Sequence, residues 1–458
     1  MKYLNKLLAS VLVVSLTVVA TGCEKFLAEK TSKKLVVPEH LEDLQALMDN
    51  YNYTNLTGPS AGAISSDDYY LTDRKFDALV SENDRRMYLW EEDNVFSTTG
   101  FNNWTDIYNS IYYSNTVLLG LEKIPRIAVN QSDWDNIKGQ ALFCRGNNLL
   151  DGAMVWCLAY DESSASTDLG LPLRLNTDFN EVSRRSNVRQ TYDQILSDLK
   201  GAAALLPVLP LSKYRSSKAA AYGLLSRTYL FMRNYPQAKL YADSCLELQG
   251  ELLDYNDLIL TANYPLNPAV NPEFLYARYI KSSPILSTTN PVSPSELYDS
   301  FNANDLRKRA FFATNTDGTV YFKGSYFGLS SLFGGIATDE VLLIKAECLA
   351  RANNTSGSMV LINKLMLKRW DKSKPYSYYS TSDPEEAKQI VLAERRKELM
   401  MRGLRWMDVK RLNKEGENIS FTRIIHGKMY VLRPNDLKYA LPIPEDVIRL
   451  SGMEQNRR

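Results

Sequence analysis

The stretch that decides the fold runs from Glu394 to Leu412 and reads ERRKELMMRGLRWMDVKRL. Arg395, Arg396, Lys397, Arg402, Arg405, Lys410 and Arg411 crowd against Glu394, Glu398 and Asp408, with Leu399, Met400, Leu404, Trp406 and Val409 between them. Such a mixture suits a basic surface for an anionic partner, a catalytic acid cluster, or helices whose charges are consumed inside the fold. The rest of the sequence chooses among the three.

Charge balance disposes of the first. With 54 Lys and Arg against 53 Asp and Glu the formal charge is +1, too small to draw the chain to nucleic acid or to anionic lipid heads. The catalytic reading lacks parts. The two histidines, His40 and His426, are far apart in sequence, and there is no HExxH, no GxSxG elbow, no P-loop and no GxGxxG after a strand, so neither metal, cofactor nor nucleotide chemistry is expected. Asp67 and Asp68 in SSDDYYLTD form the one tempting acid pair. Neighbours in an extended segment point to opposite sides and cannot flank one glycosidic bond, so both read as solvated or loop-capping carboxylates, and the protein reads as no enzyme.

The N-terminus, MKYLNKLLASVLVVSLTVVATGCEKF, has a short basic region at Lys2 and Lys6, an apolar run from Leu7 to Ala20, and small residues directly before Cys23. That is the layout of a cleaved secretory signal, too short to span a membrane comfortably. Residues 1–22 are read as signal peptide, Cys23 as the lipidated first residue, and 23–40 as a tether. Losing Lys2 and Lys6 would change the formal charge from +1 to −1. Cys144, Cys157, Cys245 and Cys348 make no CxxC pair and sit in apolar, helical-looking stretches, which suits small buried hydrophobes.

Helical periodicity marks most of the remainder. Trp104, Ile107, Tyr108, Ile111, Asn115 and Leu118 form one three-and-four stripe, and Tyr192, Ile195, Leu196, Leu199, Ala202 and Leu206 another. Leu225, Tyr229, Tyr235, Ala238, Ala242 and Cys245 fall at the offsets of a tetratricopeptide helix pair, with a weaker echo around Ala346 and Ala350. The fold class expected is mainly α, with tetratricopeptide-like pairs in a helical part over 41–251 and a second helical part over 337–458. Between them, 252–336 is dense in Pro, Asn, Ser, Thr, Gly and aromatics, and is expected to be a loop-rich, partly β insert and the ligand lobe. Its length argues against an uninterrupted superhelix.

Aromatic content is the positive functional signal. Tyr, at 28 residues, outnumbers the 15 Phe and 6 Trp together, and its flat face and hydroxyl suit a sugar ring. The clusters fall mainly in loops, and three of these are expected to meet: Tyr69 and Tyr70, the run Gly100 to Asn103, and the run Tyr321 to Phe327. Tyr69, Tyr70, Phe101, Asn102, Asn103, Tyr321 and Tyr326 are thus the candidate ligand contacts. Phe101 would stack, and Asn102 or Asn103 would pair with hydroxyls; Asn103 as a helix cap with Phe101 as its staple is the competing role.

Taken in order, these motifs resemble the SusD/RagB family of bacterial nutrient-uptake lipoproteins. Trp104, Tyr108, Ile111 and Asn115, then ALFCRGNNLL with Arg145, then SKAAAYGLLSRTYLFMRNYPQA, TDEVLLIKAECLAR and the opening stretch follow the family's series, closed by ALPIP and QN. The usual closing Pro-Gly-Tyr is absent, and Arg457 and Arg458 stand there. The resemblance implies a surface lipoprotein of the outer membrane that holds an extracellular oligosaccharide or other nutrient and passes it to a TonB-dependent transporter. A tetratricopeptide-type scaffold that binds only proteins is the alternative. Glu394 to Leu412 would then be a helix, a turn at Gly403 and a second helix whose Glu394, Glu398, Arg405 and Asp408 make internal charge-assisted bonds.

Overall fold

The computed structural model describes residues 38–96 and 102–458; Cys23, most of the tether and Phe101 lie outside the described residues. The three-and-four stripes become helices: α1 (Leu41–Met48), α2 (Asn103–Glu122), α3 (Gln131–Trp156), α4 (Val188–Leu205), α5 (Lys218–Phe231), α6 (Tyr235–Leu248), α7 (Thr338–Arg351), α8 (Thr355–Leu367), α9 (Pro384–Glu398) and α10 (Arg405–Asn413). The fold is mainly α. Asn102, Asn187, Ser217, Asn234, Asn354 and Asp383 each accept a backbone N–H of the helix that follows, meeting donors the helix itself leaves unpaired.

Strands are short and paired in twos, all antiparallel: β1 (Leu169–Pro172) with β2 (Arg185–Asn187), β3 (Phe274–Tyr276) with β6 (Ile336–Ala337), β4 (Phe312–Thr314) with β5 (Val320–Phe322), and β7 (Phe421–Ile425) with β8 (Lys428–Leu432).

The two helix pairs close in the same way. Arg233 before the cap Asn234 and Asn353 before the cap Asn354 both take left-handed backbone, at φ 61° and 60°. Ser226 Oγ donates across the first hairpin to Ala238 O (3.0 Å), and Ser358 Oγ across the second to Ala346 O (2.8 Å). Small residues at the crossing let the helices approach that closely. From α2 to α8 each long helix packs on the next, α6 directly on α7, and α9 closes on α7 and α8. The interruption expected from sequence is therefore one of chain order only. The chain leaves the array after α6 and re-enters at α7, where β3–β6 pairs the two sides of the excursion. The insert shares the main apolar cluster with the helices, and Ala277 N–H donates to Lys213 O (2.7 Å) and Tyr279 N–H to Asn55 O (2.8 Å).

The opening stretch is helix, turn and helix. Leu399 to Leu404 link α9 to α10, with left-handed backbone at Met401 (φ 59°) and Gly403 (φ 72°). Its charges are spent internally. Arg307, fully buried, binds Asp305 (2.7 Å), Glu394 (2.6 Å) and Glu398 (3.0 Å). Arg369 bridges Glu398 (2.7 Å) and Glu273 (2.6 Å), and Arg411 forks onto Glu347 (2.6 and 2.8 Å) while meeting Asp408 (2.9 Å). Arg307 and Glu273 belong to the insert, so the Arg307–Glu394, Arg307–Glu398 and Arg369–Glu273 pairs rivet it to the array. Burial pushes the Glu273 carboxyl up to about 7 against the pull of Arg369; Asp339 and Glu398 nearby add to the acid crowding.

The chain's end is tied in as well. Gln455 exchanges two bonds with the Ile443 backbone (2.8 and 2.7 Å), and Asn456 donates to Trp156 O (2.8 Å) and Leu441 O (2.7 Å). Cys144, Cys157, Cys245 and Cys348 are buried free thiols.

Candidate functional site

The segment Asp67 to Tyr70 is clamped by the α9–α10 hairpin. Arg405 forks onto Asp67 (2.7 and 2.9 Å), Arg396 binds Asp68 and donates to Asp67 O (2.9 Å), and Met401 N–H donates to Asp68 (3.1 Å). The two acids are thus ion-paired anchors, with Asp68 buried, and the expected solvated role does not hold. Burial opposes ionisation of Asp67, but Arg396 and Arg405 hold its carboxyl well below the usual range. Arg423 grips the same segment through Tyr69 O (3.1 Å), Ser66 O (2.7 Å) and Ile64 O (3.2 Å).

This anchoring fixes Tyr70, whose side chain is 41% exposed. Its backbone exchanges two 2.9 Å bonds with Val292, and Ser293 N–H donates to Val320 O (2.8 Å) next to Tyr321. Three segments distant in sequence thereby lie side by side, with Tyr70 and Tyr321 each at the edge of a separate depression. One is a groove of about 410 Å³ lined by Thr72, Arg74, Lys75, Thr288, Thr289, Asn290, Asn315, Asp317 and Tyr321. The other is a broader depression of about 1000 Å³ that includes Tyr70, Glu296, Leu297, Lys397 and Thr422. The groove presents hydroxyls, amides, one carboxylate and two cations beside an aromatic ring. Its rim is ordered by the β4–β5 turn, where Asn315 N–H donates to Thr319 O (2.8 Å) and Asp317 accepts from Thr319 N–H (2.9 Å) and Oγ1 (2.6 Å).

The other candidates go elsewhere. Tyr69 is buried, its hydroxyl donating to Ile64 O (2.9 Å). Tyr326 is buried against Phe333 with its hydroxyl between Asp339 (2.5 Å) and Glu273 (2.9 Å). Asn103 is buried too, and its Oδ1 accepts from Ala61 N–H (2.9 Å) and Ser60 Oγ (3.2 Å), tying α2 to the short helix Ala61–Ser65. These three serve the interior, where the Tyr69 and Tyr326 hydroxyls and the Asn103 Oδ1 already have partners. The cap of α2 is Asn102, accepting from Thr105 N–H (3.0 Å), and not Asn103. Phe101 lies outside the described residues. Sequence reasoning missed Thr72, Lys75, Thr288, Asn290, Asn315 and Asp317. Thr288, Asn290, Asn315 and Asp317 carry a signal in STTNP and NTDGT, where short polar residues flank turn formers in the insert, and Thr72 and Lys75 carry none.

Stacked helix hairpins thus support an irregular, aromatic-bearing face. A family model described as starch-binding, associating with outer membrane, matches residues 25–230, and the SusD family model matches residues 338–457. The chain belongs to the SusD/RagB family. It is 23% identical over 389 residues to the SusD-like protein P38 of Formosa agariphila, covering 70% of this chain and 74% of that one. In fold it is similar to a putative sugar binding protein from Bacteroides vulgatus (TM-score 0.73, 21% identity, 92% of this chain and 99% of that one). It is similar also to a laminarin binding SusD-like protein (TM-score 0.65, 16% identity, 90% and 97%).

Proposed function

We propose that the protein binds an extracellular glycan, without catalysis, where the segments bearing Tyr70 and Tyr321 lie side by side, and hands it to a TonB-dependent transporter in the outer membrane, where a lipid on Cys23 anchors it. The observation that carries this reading is the clamping of an exposed tyrosine beside a groove of hydroxyl and amide groups. A ring stacks on Tyr70 or Tyr321 while its hydroxyls meet Thr288, Thr289, Asn290 and Asn315, and a preformed site spares the ligand the cost of ordering it. Membership of the family and the likeness in fold to a laminarin binding SusD-like protein support the ligand class.

The test is a glycan array with the purified protein, followed by calorimetry on Tyr70→Ala and Tyr321→Ala. Loss of one stacking face is expected to weaken binding by about tenfold, near 1.4 kcal/mol, with melting unchanged. Affinity unmoved in both variants moves the site elsewhere. Anchoring is checked by Cys23→Ala, which is expected to release the protein from membranes. Delivery requires contact with the transporter, for which the α5–α6 pair is the proposed surface; copurification of a large outer-membrane barrel supports it. A second reading, a scaffold for protein alone, draws on Leu240, Val360 and Leu367, which leave apolar side chains exposed on α6 and α8. It gains if the array captures nothing.

A further inference from the structure

A second aromatic concavity lies on α2. Tyr53, Tyr108, Tyr112, Tyr113 and Phe179 line a cleft of about 460 Å³ between α2 and the β1–β2 connection, and it shares no lining residue with the two depressions beside Tyr70. Tyr53 stacks on Tyr113 with centroids 3.9 Å apart, and Tyr112 lies against Phe179 at 4.9 Å. Phe179 is 78% exposed.

That exposure is enforced by the connection around it. Asn115 Nδ2 donates to Arg174 O (2.9 Å) and Asn176 O (3.1 Å), and its Oδ1 accepts from Arg145 Nη1 (3.0 Å), itself forked onto buried Asp198 (2.8 and 2.7 Å). Arg174 in turn donates to the carbonyls of Asp178 and Glu181 and to Ser183 (3.3 Å). A satisfied polar network thus holds an apolar ring out in water opposite tyrosines. Both terminal nitrogens of Arg174, the one charged side chain in the lining, already donate to carbonyls of that connection, so the cleft keeps that charge but has few of its N–H donors left to grip an anion. It offers ring faces and neutral groups, among them Thr177 and the Asn109 amide, which meets no partner among the described residues.

We infer that this cleft is a second glycan-binding site, taking a neutral oligosaccharide that stacks on Phe179 and Tyr112 and pairs its hydroxyls with Asn109 and Thr177. The inference rests on the carbohydrate reading above and adds a site to it. Exposed Leu175 and Val182 stand on the same connection but outside the cleft lining, so the concave wall itself favours a sugar over a protein partner.

The experiment is an array of neutral oligosaccharides from α-glucan, β-glucan, xylan and mannan, then calorimetry of the full chain with the strongest short binder. The expected result is two chains bound per protein, reduced to one by Phe179→Ala and, separately, to one by Tyr70→Ala, both variants melting as the parent does. A single chain per protein, lost with Tyr70→Ala and untouched by Phe179→Ala, overturns the second site and leaves the proposed function standing. An array that captures nothing overturns both. Loss of a copurifying barrel in Phe179→Ala with sugar stoichiometry unchanged assigns the surface to a protein and overturns the inference.

Discussion

The α9–α10 hairpin and the Tyr70 face show opposite fates for residue types that look alike in sequence. The hairpin is the most densely charged stretch considered above, yet Arg395, Arg402, Arg411, Glu394 and Glu398 are all buried. The loop clusters are rich in tyrosine, yet Tyr69 and Tyr326 are buried while Tyr70, next to Tyr69 in the chain, is open. The difference is partner supply. An arginine can be interior when carboxylates from other segments converge on it, and Tyr69 and Tyr326 sit inside with their hydroxyls on acceptors, at Ile64 O and at Asp339 and Glu273. The two regions are also coupled, since Arg396 and Arg405 of the hairpin hold Asp67 and Asp68 directly before Tyr69 and Tyr70.

The largest effect expected from breaking this contrast is at Arg307. Arg307→Met strands Asp305 and Glu394 in the interior without their central cation and is expected to cost roughly 3–5 kcal/mol, read as a fall in the denaturant midpoint. A change within about 0.5 kcal/mol, as for a surface site, would place those charges outside the account given for them.

Next comes pH. Lys410 is buried with its ammonium donating to Met154 O (2.9 Å) and Cys157 O (2.6 Å) at the end of α3, and burial pulls its pKa down to about 7. In the unfolded chain it stays protonated to about 10.4. Between these values the unfolded state binds more protons, so this group's contribution to stability rises with pH by up to about 1.4 kcal/mol per unit. Below about 7 both states are protonated and its cost is constant. Unfolding midpoints taken from pH 6 to 10 are expected to show that slope in the parent and to lose it in Lys410→Met; parallel curves would contradict it.

Arg405→Lys sharpens the coupling. It keeps the charge but loses the fork on Asp67, so glycan affinity is expected to fall a few-fold, on the order of 1 kcal/mol, with a smaller change in melting. The smallest effect is at the entrance to α2, where Asn102→Ala removes a cap and is expected to lower stability by about 0.5–1 kcal/mol. Asn103→Ala is the companion, expected to cost more, because it leaves buried Ala61 N–H without its acceptor.

Local pattern made the helices legible. Stripes such as Tyr192 to Leu206 and the small residues Ala238, Ala242 and Ala346 pointed to helices and to close pairs, and Gly403 marked the turn. The adjacency of α6 and α7 was hidden, because the chain separating them says nothing about where it returns. For the candidate site, sequence identified Tyr70 and Tyr321 and the loops that carry them. It could not separate Tyr70 from Tyr69, since successive residues of one extended segment face opposite ways and only the neighbours decide which face is inside. Thr72 and Lys75 were invisible for a related reason: single polar loop residues acquire meaning only where the backbone of Tyr70, Val292 and Val320 brings them beside Asn290 and Asn315.

The most direct measurement is hydrogen exchange of the protein with and without the oligosaccharide that the array selects. Slowed exchange is expected at Tyr70 to Lys75, Thr288 to Ser293 and Asn315 to Phe322, with α9 and α10 unchanged. Protection confined to the helix array, with those three segments exchanging as before, would contradict it.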